Sequence, residues 1–121
     1  MLKLDKKFST KKVVIFDLDG TLAPSKAALD QEMASLFRHL LEKRKVMIIG
    51  GGNITQFRQQ FLGHFSCEAQ TLSNLFIAPT SGASMFENKN GTWQAIYRCI
   101  LTSEEKKKIL LAFKKSMKDI G

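Results

Sequence analysis

Two short apolar runs constrain this chain most: "VVIF" at 13–16 and "VMII" at 46–49. Each is rich in β-branched residues and breaks at once into a turn, the first into "DLDGT" and the second into "GGGN". Continuous apolar runs of this length read as strands buried on both faces, as in a parallel sheet. Delivering Asp17 and Asp19 to the end of such a strand is costly, because neighbouring carboxylates repel and lose water. By average residue usage, D-x-D-G-T arises by chance at about one start in a hundred thousand. The pair is therefore expected to hold something.

The remaining elements alternate around these strands. After a loop at Pro24, Asp30 can cap a helix carrying Met33, Leu36, Phe37, Leu40 and Leu41 at helical spacing. The basic run "EKRK" closes it, where cations suit the helix dipole. Asn53 can cap a second helix with Ile54, Phe57 and Phe61 on one face. Leu75 to Ala78 reads as a third strand, and Asn90-Gly91 as the turn of a hairpin. Thr102 and Glu105 form a capping box before a helix with Ile109, Phe113, Met117 and Ile120 in one stripe. The order β-α-β-α-β, hairpin, helix predicts an α/β, Rossmann-like three-layer α/β/α sandwich with a parallel sheet plus a β-hairpin.

At 121 residues, 44% of them apolar and 25% charged, the chain reads as one domain over 1–121 with an ordinary core. No apolar run approaches the roughly 20 residues that cross a bilayer, and the N-terminus lacks the apolar stretch of a signal peptide. Cys67 and Cys99 form neither a disulfide framework nor a zinc pattern, so reduced thiols and a cytoplasmic location are expected. The net charge is +8, with five lysines against one aspartate in the first twelve residues. Residues 104–119 carry six lysines against three acids. No aromatics are interleaved for base stacking, so these lysines read as solvated faces and nucleic acid is not the expected partner. A small phosphorylated substrate would also be drawn to such a field. His39 and His64 have no acid or cysteine at ligand spacing, and Trp93 and Tyr97 read as hairpin packing.

In doubly wound sheets, ligands sit beyond the carboxyl ends of the strands, so the turns after the first two strands should meet. Asp17 and Asp19 are placed to share a hard cation such as Mg2+, completed by phosphate oxygens and water. Gly20 permits a sharp turn, and Thr21 offers a hydroxyl and an N–H. Gly51, Gly52 and Asn53 precede a helix start, where N–H groups can face an anion. The set suits phosphoryl transfer, in which one carboxylate attacks phosphorus and the other moves the proton.

"FDLDGTLAPS" resembles the first motif of the haloacid dehalogenase superfamily, D-x-D-G-T-L. "IIGGGN", "ITQFRQQFLG" and "FIAPTSGASMFENKNGTW" resemble the eukaryotic-type phosphomannomutase and cap-bearing sugar phosphatase branch, from about residue 12 onward. The resemblance implies that Asp17 becomes an aspartyl phosphate and binds Mg2+ through its carboxylate. It implies that Asp19 binds Mg2+ through its carbonyl and acts as general acid and base. Gly52 stands where the family's second motif supplies a serine or threonine hydroxyl.

The family pattern continues into a cap, a lysine motif and an acidic motif, none of which lies within these residues. The expectation is therefore the N-terminal half of the core, truncated before the cap. The unpaired edge of "VVIF" would then favour a homo-oligomer, a dimer being simplest. Three functions follow: a Mg2+-dependent phosphatase acting on small sugar-phosphate-like substrates, a catalytically impaired structural or binding module, or a basic nucleic-acid-binding domain. The intact acids favour the first, the missing motifs favour the second, and the third would need steeply salt-dependent binding.

Overall fold

The computed structural model describes residues 9–120. One mixed sheet runs in the order β1 (Val13–Asp17), β2 (Lys45–Ile49), β3 (Leu75–Ala78), β4 (Ser84–Lys89), β5 (Thr92–Arg98). The first three strands are parallel, and β4 and β5 return antiparallel. Helices α1 (Gln31–Lys43), α2 (Ile54–Gln60) and the short α3 (Ala69–Leu72) connect the parallel strands, and α4 (Ser103–Ile120) follows β5. This is the Rossmann-like α/β arrangement expected from the alternation of elements.

Local chemistry sets the boundaries. Asp30 accepts from the Met33 amide at 2.7 Å and Asn53 from the Gln56 amide at 2.9 Å, so each caps a helix. The Thr102 amide donates to Glu105 Oε2 and the Glu105 amide to Thr102 Oγ1, completing the capping box. Asn90 and Gly91 both have positive φ, 54° and 81°, as a two-residue hairpin turn requires.

Strand alternation puts Val46, Ile48, Leu75 and Ile77 on one face, fully buried against Phe37, Leu41, Phe57 and Phe61 of the helices. Phe61 contacts the Phe37 ring edge-on at 4.9 Å and Phe65 at 5.2 Å. These aromatic contacts fix α2, and with it the turn before it, against α1.

The other face differs from the expectation of strands buried on both sides. Val13 and Ile15 of β1 are 51% and 58% exposed. The apolar stripe of α4 is exposed throughout, and the helix has no buried residue. The apolar pattern is present on both elements, but Val13, Ile15 and the α4 stripe stay exposed among the described residues. β1 likewise pairs with β2 alone. The lysine-rich N-terminus, residues 1–8, lies outside the described residues.

Candidate active site

Leu18 makes the first turn rigid. Its side chain is buried between the two exposed or half-exposed aspartates, and its carbonyl accepts from the Thr21, Leu22 and Ala23 amides at 3.0–3.3 Å. Gly20, at φ 75°, closes the loop by donating to the Ala23 carbonyl at 2.7 Å. Because φ there is left-handed, a side chain at position 20 would be strained. Asp17 and Asp19 thus leave the sheet from a turn whose apolar residues are sunk into the core.

The second turn is braced by the third. The Thr80 amide donates to the Gly52 carbonyl and the Ser81 amide to the Gly50 carbonyl, both at 2.8 Å. Thr80 and Ser81 both hold positive φ, 53° and 54°. Left-handed backbone at non-glycine residues costs about 1–3 kcal/mol each and persists where surrounding structure dictates it. Here the two hydrogen bonds to the glycine turn supply that constraint.

Between these turns lies a cleft of about 50 Å3, onto which Asp17, Asp19 and Gly50–Gly52 all open. It has room for an ion and a few waters, so a larger ligand would extend outward from it. The Asp19 carboxylate is tethered: its Oδ1 accepts from the Lys26 amide at 3.1 Å and from Gln60 Nε2 at 2.9 Å. Among the described residues no donor engages the Asp17 side chain. One acid is therefore held and the other is open to a ligand.

Gly20, Thr21 and Asn53 are exposed and do not line this cleft, and Asn53 spends its side-chain oxygen on the α2 cap. Gln56 and Gln60, which line the cleft, were missed by sequence reasoning. Their only signal is a polar pair at i, i+4 beside Phe57 and Phe61, where an all-apolar stripe is the simpler pattern.

The open Asp17 carboxylate beside an ion-sized space suits Mg2+, which commonly takes one or two carboxylates and keeps several waters. Among the described residues, no group of three His, Cys, Asp or Glu side chains forms a denser metal site. Cys67 is a poor alternative nucleophile. Burial pushes its thiol up from the ordinary value, with Arg38 opposing and Glu42 and Glu68 adding to the rise. A wider groove of about 580 Å3 at the opposite end of the sheet includes Lys11, Lys12, Lys43, Arg44 and Lys45. Among the described residues its lining carries one carboxylate, Glu42.

The mixed α/β fold has counterparts among solved structures. The IMP-bound, N-terminally truncated IMP-nucleotidase of Plasmodium falciparum superposes with a TM-score of 0.63 at 14% identity, covering 90% of this chain and 34% of that one. The same organism's IMP-nucleotidase gives 0.66 at 16%, covering 90% and 30%. A haloacid dehalogenase-like hydrolase from B. subtilis gives 0.61 at 18%, covering 89% and 34%. The chain shares its fold with these structures and spans about a third of their length. No family model and no curated protein matches the chain. No helix among the described residues is long and apolar enough to cross a membrane.

Proposed function

We propose that this chain carries the nucleophile half of a Mg2+-dependent phosphatase site, acting on small, sugar-phosphate-like monoesters through an aspartyl phosphate at Asp17. The observation that carries the proposal is the pairing of an open Asp17 with a tethered Asp19 on one ion-sized cleft against the Gly50–Gly52 turn. An Asp17 carboxylate oxygen attacks phosphorus, an O–P bond forms, and the ester P–O bond breaks. The leaving oxygen takes the electron pair and a proton from Asp19. Water then attacks the aspartyl phosphate, giving its proton to Asp19, and inorganic phosphate leaves. When bound, Mg2+ screens the repulsion between the phosphoryl oxygens and the carboxylates.

The sugar-phosphate class and the phosphomannomutase-like branch rest on the resemblance of "IIGGGN" and "FIAPTSGASMFENKNGTW". The unpaired Cys67 and Cys99 are compatible with a cytoplasmic location. Phosphate release from phenyl phosphate by the full chain is expected to require added Mg2+ and to stop with excess EDTA. Release that persists undiminished in EDTA would overturn the metal's role. A second reading, a non-catalytic binding module that keeps the fold, is favoured by the lack of a third acid at the cleft among the described residues. A chain that releases no phosphate under any of these conditions would establish that reading instead.

We also propose a homodimer, supported by a β1 edge that no strand covers among the described residues and by the exposed Val13 and Ile15. Light scattering should give twice the chain mass at micromolar concentration, with Ile15→Lys shifting the mass toward that of the monomer. A monomer at every concentration would remove the proposal.

A further inference from the structure

Gln60 and Asn88 are the buried polar side chains of the described core. Asn88 is tied into the hairpin turn through the Gly91 amide, whereas Gln60 reaches the cleft. A buried amide is costly unless its polar atoms are matched. Gln60 meets that condition in one orientation: Nε2 donates to Asp19 Oδ1 at 2.9 Å and to the Ala27 carbonyl at 3.3 Å, while Oε1 accepts from Gln56 Nε2 at 3.1 Å. Flipping the amide would set its oxygen against two acceptors and its NH2 against a donor. The orientation is therefore fixed by its partners.

Gly52 is part of the same arrangement. A Cβ at this position would fall on the end of the Gln56 side chain, 2.5 Å from Cδ and closer still to Oε1. The missing side chain thus admits Gln56, and Gln56 in turn holds Gln60. With the Lys26 amide as its second donor, Asp19 Oδ1 is saturated, which leaves Oδ2 to exchange a proton.

We propose that Gln60 is a positioning residue that fixes the Asp19 carboxylate with Oδ2 toward the leaving oxygen, and that Gln56, admitted by Gly52, holds Gln60 in place. This rests on the phosphatase reading above, in which Asp19 protonates the leaving group. The proton moves from Oδ2 to the departing oxygen as that oxygen takes the P–O bonding pair, and Asp19 is left as the carboxylate.

The test compares kcat/KM, which covers steps up to phosphoryl transfer, on two esters with the full chain. 4-Nitrophenyl phosphate has a leaving group that needs little protonation, and glycerol 1-phosphate has one that needs it. Gln60→Leu should lose about a hundredfold on the glycerol ester and only a few-fold on the nitrophenyl ester. Gln60→Glu, which keeps size and the Gln56 partner but lacks the N–H, should show the same selective loss. Gln56→Leu, which removes the donor to Gln60 Oε1, should show it more weakly. Equal losses on both esters in an active protein would overturn the positioning role alone. No release of phosphate from either ester by the unaltered chain would overturn the phosphatase reading and this proposal with it.

Discussion

Asp17→Asn is expected to lower phosphate release by at least about a thousandfold, the scale on which enzymes lose rate when a covalent nucleophile is removed. The asparagine amide keeps the size of the side chain but has no carboxylate oxygen to attack phosphorus, and it is a weaker donor to a cation. The fold should be untouched. Asp17 is exposed at the last position of β1, and no side-chain hydrogen bond among the described residues is lost. Activity and stability therefore separate: the variant should unfold at the denaturant midpoint of the parent. A variant that keeps a tenth or more of the parent rate would mean that another group attacks phosphorus.

The second large effect concerns stability. Phe61→Ala removes a fully buried ring that packs on Phe37 and Phe65. Large-to-small aromatic substitutions of this kind cost about 3–5 kcal/mol, from lost transfer energy and the cavity left behind. A domain of this size has about 5–15 kcal/mol in total, so the urea midpoint should fall by about a fifth or more. Phe61 follows Gln60 directly, so loosening the ring also loosens the anchor of Asp19. A loss under about 1 kcal/mol at unchanged m would mean that the α1–α2 aromatic packing is not what holds the helices.

Much of this architecture was legible in the chain. β3 spans Leu75 to Ala78 as the apolar run predicted, and the caps at Asp30, Asn53 and Thr102 fall where hydroxyl, amide or carboxylate side chains precede apolar periodicity. Local chemistry decides such features, so a single sequence carries them. The free faces of β1 and α4 were not legible, because an apolar stripe states which side favours burial and not whether another element covers it. The stripe of α4 was read correctly as a pattern, yet Phe113 is 68% exposed.

Within the site, the meeting of Asp17, Asp19 and the glycine turn followed from strand order alone. The part played by Gln60 did not. A glutamine beside two phenylalanines has no fixed meaning until the backbone brings Asp19 within 2.9 Å across 41 residues of sequence. Asn53 was legible as a cap, its side-chain oxygen accepting from the Gln56 amide. The left-handed Thr80 and Ser81 were hidden for a similar reason, since neither is a residue type that marks such a turn.

The most direct test of the central claim is to trap the phosphorylated aspartate. The full chain, quenched during turnover with Mg2+ and an aryl phosphate and then reduced with borohydride, should contain homoserine at position 17, read from the mass of the peptide. The Asp17→Asn protein should contain none. Homoserine at position 17 confirms the covalent route. Phosphate release in the same sample with no reduced residue at 17, or with one at another position, would contradict it.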